Sequence, residues 1–255
     1  IQINSYNAYL IDVPANPERD KAVAALRQKL RPSPNQTAAE AEAARGELVA
    51  LGNDLGMVLD ASHASDDVFD QMMELSRAPI ILSHSGCRAV HNHPRNIDDD
   101  RIKKLAAKGG TIQINSYNAY LIDVPPNPER DKAVAALRQR LRRSPNQSAA
   151  EADAARRELV KGMREIDARY PEPRATFDMY MSHVTHALDL VGPGHVGVGC
   201  DWDGGGGVSG MEDVTAIPKI TERLVKLGYT ERQLSNFWGG NALRVLKTAH
   251  EARKI

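Results

Sequence analysis

Aromatic side chains are scarce in this chain. Phe, Trp and Tyr make up only 5% of its residues, so a core has to be built from Ala, Leu, Val and Ile. An excess of charge is missing too, since 33 basic residues face 33 acidic ones. Without a basic surplus the chain is a poor candidate for gripping a nucleic-acid backbone. No apolar run approaches the roughly 18–20 residues that cross a bilayer. No basic stretch leads into an apolar one in the manner of a signal peptide. The compartment stays open: cytoplasmic or, after removal of a leader, periplasmic or secreted. Cysteine is limited to Cys87 and Cys200, which form no CxxC pair. Buried free thiols are the expectation rather than a disulfide. Glycine-rich loops of the GxGxxG or Walker type are absent, so the run Gly204–Gly207 is only a weak sign of phosphate binding.

What is present begins with a repeat. Residues 1–48 recur at 112–159 without a gap, with only six differences: Ala15/Pro126, Lys29/Arg140, Pro32/Arg143, Thr37/Ser148, Glu42/Asp153 and Gly46/Arg157. Two copies are too few for a stacked solenoid. The near-identity reads as a recent duplication or a junction between homologous sequences. The 255 residues suffice for one large domain or two small ones.

Each copy reads as strand, loop, helix, turn, helix. Alternating apolar and β-branched residues predict a strand over Thr111–Tyr117. The following helix places Val134, Leu137 and Leu141 on one face, until Pro145 interrupts it; Val23, Leu26, Leu30 and Pro34 are the equivalents. Ser148 with Glu151, and Thr37 with Glu40, fit capping boxes that open a second helix. Beyond the first copy, "GMVLDASH", "PIILSHSG", "TIQINSY" and "HVGVGCDWDG" read as strands separated by helical stretches. That alternation implies a parallel sheet, open or closed into a barrel. The polar residues collect at C-terminal strand ends, where barrel active sites are built.

Four groups carry candidate chemistry. His63 ends "LDASH" and His84 ends "ILSH" 21 residues later, so one βα unit separates two imidazoles in matched contexts. Each alone reads rather as a hydrogen bond to its own loop; as a matched pair, adjacent strands could aim both at one metal, which brings the two readings level. Asp201 and Asp203 in "GCDWDGGGG" fall on one side if the strand continues, suited to metal binding or acid–base work. A turn capping the strand end is the competing reading. Arg95, after Pro94, suits a bidentate grip on a substrate carboxylate, against a salt bridge to the run Asp98–Asp100. His91 and His93 lie in a polar loop and read as solvated; His183 and His186 read as a half-buried helix face. Cys87 has no activating partner in the sequence and reads as structural, and Ser83 and Ser85 come without a nucleophile elbow.

The segments "DASH", "SHSGCRAVHNHPRNIDDD", "INSYNAY", "HVGVGCDWDG", "MEDV" and "GGNALRVL" together resemble the zinc-dependent renal (membrane) dipeptidases, from about residue 48 to the end. The resemblance implies an α/β fold of the (β/α)8 TIM-barrel type with two zinc ions, cleaving dipeptides through a metal-bridging hydroxide. Carried over by motif, His63 and His84 resemble the two histidine ligands of one zinc. Arg95 resembles the arginine that holds the dipeptide carboxylate, and Tyr120 a tyrosine of the substrate pocket. Asp201 resembles the catalytic aspartate.

The same resemblance exposes departures. The family's His-x-Asp pair, bridging glutamate and oxyanion histidine belong to the first half of its barrel. No His-x-Asp occurs in this sequence, and the first repeat copy stands in that place. The expected division is therefore 1–48 as a duplicate and 49–255 as the C-terminal portion of a barrel that is incomplete or rearranged towards its N-terminus. The expected function is a dipeptidase-type zinc hydrolase with an incomplete ligand set, acting on a dipeptide or other small amide. Two alternatives stand beside it: a non-catalytic partial barrel that associates as a homodimer, and a related hydrolase of amides or lactones.

Overall fold

A computed structural model describes residues 37–142 and 147–254, with isolated positions 17, 21, 24, 25 and 28 ahead of them. Apart from those five helical positions, the elements expected for the first repeat copy up to Gln36 lie outside the described residues, as does the break at Pro145.

In chain order the elements are α1 (Ala38–Asp54), α2 (Asp66–Leu75), β1 (Ile81–Ser85), α3 (Asp99–Ala107) and β2 (Thr111–Ile114). Then come α4 (Pro128–Arg140), α5 (Ala149–Arg169), α6 (Phe177–Val191) and β3 (Val196–Val198). The chain closes with α7 (Ile217–Lys226), α8 (Glu231–Ser235), a π-turn at Asn236–Gly240 and α9 (Asn241–Glu251). Contacts divide it into two compact units, one of Ile1–Leu121 with Thr176–Ile255, the other of Ile122–Ala175.

The larger unit is built on a parallel sheet of order β1-β2-β3. Ile81 and Leu82 pair with Thr111 and Ile112, and Ile112 to Ile114 pair with Val196 to Val198. All four residues of β2 are buried, as expected of a central parallel strand covered on both faces. Leu82, Ile112 and Ile114 form the sheet's contribution to the core, with Ile80 just ahead of β1; Phe69, Ile102, Tyr180, Val184, Ile220 and Val245 supply the helices' share. Helix starts follow from their caps. Ser65, Asp98 and Thr176 each accept an amide of the first turn at 3.0–3.4 Å, satisfying donors that no helix carbonyl can reach. Thr37 and Glu40 close the expected capping box, the hydroxyl taking the Glu40 amide at 3.2 Å and the carboxylate taking the Thr37 amide at 2.8 Å.

Two predicted strands are shorter than their sequence pattern. "GMVLDASH" contributes one bridge, Asp60 to Ile81. Its chain turns away because Asp60 Oδ1 accepts the Ser62 amide at 3.0 Å. The strand expected over Thr111–Tyr117 stops at Ile114, where Asn115 Oδ1 takes the Tyr117 amide at 2.5 Å in the same kind of turn. Asn118–Tyr120 then forms a 3-10 turn.

In the smaller unit, α4 and α5 pack together. Leu137 is the one buried residue of α4, so the expected face of Val134, Leu137 and Leu141 is buried only at its centre. It sits on Gly162, where a Cβ would fall 2.8 Å from both Leu137 methyls. Arg130 binds Asp167 at 2.7 Å and Glu172 at 3.1 Å. Ser148 and Glu151 form the second predicted capping box.

Candidate functional site

The polar groups gather where β1 ends and the turn after Asp60 begins. His84 is the fourth residue of β1, and its Nε2 lies 2.8 Å from Nε2 of His63. The ring centroids are 4.8 Å apart. The two imidazoles singled out by their spacing therefore converge nitrogen to nitrogen. His63 titrates below the ordinary imidazole value because of partial burial, then the charges of Arg95 and His84, with Asp60 and Asp201 acting the other way. Its neutral form is the one that offers a lone pair to a metal.

Arg95 reaches the same place. Its Nη2 is 3.3 Å from His63 Nε2, its Nε donates to the Tyr120 hydroxyl at 3.2 Å, and its Nη1 donates to the Ser62 carbonyl. The guanidinium also lies over the Tyr120 ring, 5.2 Å from its centroid. The competing reading, a salt bridge from Arg95 to the acidic run, gives way to other partners. Arg101 takes Asp98 at 2.5 Å, with Arg88 at 3.6 Å, and Arg88 grips Asp66 with both Nη atoms at 2.8 and 2.9 Å. These ion pairs tie the loop after β1 to α2 and α3, leaving Arg95 to face the histidines.

Asp201 follows β3, as the sequence implied, but its strand ends at Val198. Asp201 is left-handed, with φ 59°, the only non-glycine residue of positive φ among the described residues. Such a conformation costs on the order of 1 kcal/mol. The glycines after it supply the space. A Cβ at Gly204 would fall 2.1 Å from Asp201 Oδ1, and the amides of Gly204 and Gly206 donate to the Asp201 carbonyl at 3.0 and 2.7 Å. Asp203 sits within the 3-10 turn Trp202–Gly204, so the strand alternation expected to align it with Asp201 does not operate. The turn reading holds for the backbone here, and the charge of Asp201 still reaches His63.

Three further histidines are placed as follows. His93 Nδ1 accepts the Arg95 amide at 3.1 Å, and its ring packs on Tyr120. His186 Nε2 meets Asp99 at 2.8 Å. His183 is fully buried rather than half-buried, accepting the Cys87 amide through Nδ1 at 2.9 Å. Both cysteines are free and buried, and burial pushes the Cys87 thiol up to about 12, which fits its structural reading. Asp60 and Ser62 carry no motif in the sequence, and Ser83 stands out there only as a serine without a nucleophile elbow. The sequence shows only that Asp60 and Ser62 stand within three residues of His63, and that Ser83 and Ser85 flank His84.

The donor set suits part of a metal site. Two nitrogens on one tetrahedral zinc stand about 3.3 Å apart, so the 2.8 Å separation needs only a small opening. The pair fits two ligand positions. Among the described residues no third His, Cys, Asp or Glu joins them in a metal-binding group.

A parallel sheet with imidazole, guanidinium and carboxylate groups at its C-terminal strand ends is the frame of an α/β enzyme. The sequence profile of the membrane dipeptidases (peptidase family M19) matches residues 31–255, and the chain belongs to that family. It is 30% identical over 200 residues to dipeptidase verJ of Clonostachys rogersoniana, covering 78% of this chain and 39% of that protein. With dipeptidase 3 of Mus musculus it shares 28% over 203 residues, covering 79% of this chain and 31% of the other. In three dimensions it is similar to the probable dipeptidase PvdM of Pseudomonas aeruginosa, with TM-score 0.60 and 27% identity over 84% of this chain and 55% of that one. A metallopeptidase of Rhodobacter sphaeroides, solved with a phosphinate mimic of the dipeptide L-Ala-D-Ala, shares the fold at TM-score 0.58 and 23% identity, over 81% and 46%. The chain thus spans less than half the length of these curated relatives.

Proposed function

We propose that the chain carries part of the active site of a zinc-dependent dipeptidase, on strands that belong to a (β/α)8 barrel. The observation that carries this reading is the convergence of His63 and His84 nitrogens at 2.8 Å beside Arg95. His63 and His84 would hold the metal, which when bound supplies a Lewis acid that polarises a scissile carbonyl and acidifies water. Arg95, stiffened by Tyr120 and the Ser62 carbonyl, grips the carboxylate of a dipeptide and sets its register. Tyr120 borders the same pocket. Asp201, held in its left-handed turn, presents a carboxylate for the amine end and for protonation of the leaving nitrogen.

A second reading rests on a specific observation. The described residues bring no third ligand to the histidine pair, and the sequence contains no His-x-Asp. On that reading the chain is a non-catalytic member of its family. An assay of the zinc-supplied full chain on unblocked dipeptides separates the two. Turnover that disappears in His84→Ala, and falls at least tenfold when the dipeptide carboxylate is amidated, supports the dipeptidase. No turnover on any dipeptide tested sinks it for this chain.

A further inference from the structure

Asp60 and Ser83 stand behind the histidine pair, and the proposed reaction leaves them without a task. Asp60 Oδ1 accepts the Ser62 amide at 3.0 Å, the Ser62 hydroxyl at 2.7 Å and the Ser83 amide at 3.1 Å. Asp60 Oδ2 accepts the Ser83 hydroxyl at 2.5 Å. A carboxylate only accepts, so both serine protons are directed onto it. Ser83 Oγ also lies 2.8 Å from His84 Nδ1 and 3.3 Å from Ser62 Oγ. With its one proton given to Asp60, Ser83 meets His84 with a lone pair. Hydrogen bonding there requires the proton on Nδ1. Ser62 completes the arrangement by accepting the His84 amide at 3.0 Å.

We propose that Asp60, acting through Ser83, locks His84 in the tautomer protonated on Nδ1, so that its Nε2 lone pair is held towards His63 as a metal donor. Asp60 and Ser83 are then positioning residues. Their value to a metal site rests on the reading above that His63 and His84 bind a divalent ion. The tautomer itself follows from the Ser83 hydrogen bond, and in the metal-free chain the proton between the two Nε2 atoms then belongs to His63. An imidazole with its other nitrogen so tied is both oriented and made a better ligand.

Asp60→Asn makes the sharpest test because it reverses the direction of the chain of bonds. Asn Oδ1 still accepts the three donors that Asp60 Oδ1 takes, while the new NH2 donates to Ser83 Oγ. The Ser83 proton then turns towards His84 Nδ1, and His84 carries its own proton on Nε2, closed to a metal. Ser83→Ala removes the director, and Ser83→Thr keeps it.

The experiment is long-range proton–nitrogen correlation NMR of the metal-free full chain at about pH 8, where an ordinary histidine of pKa about 6.5 is neutral, followed by Zn2+ titration of each variant. Wild type and Ser83→Thr are expected to show His84 protonated on Nδ1, and Asp60→Asn to show it on Nε2. Zn2+ affinity is expected to fall about 10- to 100-fold in Asp60→Asn and Ser83→Ala, with Ser83→Thr close to wild type. A wild-type His84 protonated on Nε2 would overturn the proposal, as would a tautomer unmoved by either Asp60→Asn or Ser83→Ala. A tautomer that switches as described in a chain that binds no Zn2+ would uphold the lock and overturn the metal reading of the pair.

Discussion

His183 accepts the Cys87 amide through Nδ1, so its proton sits on Nε2, a buried atom without a hydrogen-bond partner among the described residues. Burial first, and then the neighbouring His91 and His186, push its pKa down to about 4. Asp99 pairs with His186 on the same side. In the unfolded chain the imidazole takes up its proton near pH 6.5, in the folded chain only near 4. Its titration therefore leaves stability unchanged above pH 6.5 and lowers it as pH falls towards 4, by about 3 kcal/mol in all. Urea unfolding of wild type and His183→Asn across that range is expected to give a steeper acid loss in wild type. Parallel curves would show that His183 is not held neutral. At this scale the sequence was legible where one residue type recurs in matched contexts: His63 and His84 stand 21 apart, and they meet. Asp60 and Ser83 are legible only as neighbours of the imidazoles, because their roles lie in which atom gives up a proton. Strand alternation does not reach Asp203, because β3 ends at Val198.

The loop from Gly86 to Ile97 is the element that delivers Arg95. Its ends are joined by the Ile97 amide to the Gly86 carbonyl at 3.0 Å and the Arg88 amide to the Ile97 carbonyl at 2.8 Å. Asn96 Nδ2 braces its middle, donating to the carbonyls of His91 and Tyr120 at 2.9 and 2.7 Å. Gly86 permits this, since a Cβ there would lie 2.3 Å from Asn96 Oδ1. Gly86→Ala is expected to displace Asn96 and cost about 1–3 kcal/mol, in the manner of overpacking. An unfolding midpoint equal to wild type would show that the loop yields freely. Capping boxes and helix spans were legible because their signals are local, a hydroxyl and a carboxylate three residues apart. Strand lengths were not. Asn115 and Asp60 both turn the chain by accepting an amide two residues on, and the apolar pattern continues through those turns.

Across the whole molecule, β–α alternation was readable from the order of apolar runs and caps, and the parallel order β1-β2-β3 follows it. Barrel closure is a different matter, because it depends on strand partners that no local pattern names. Membership of the membrane dipeptidase family was legible for a related reason: its motifs are the strand ends themselves, kept in order from "DASH" to "GGNALRVL". The central claim is that His63 and His84 together hold a divalent metal. Titration of the metal-free full chain with Co2+, followed by its visible absorption, tests it most directly. Wild type is expected to bind with a spectrum of nitrogen ligation, and His63→Ala and His84→Ala each to weaken binding at least tenfold. Equal uptake, with the same spectrum, by wild type and by the chain lacking both imidazoles would contradict it.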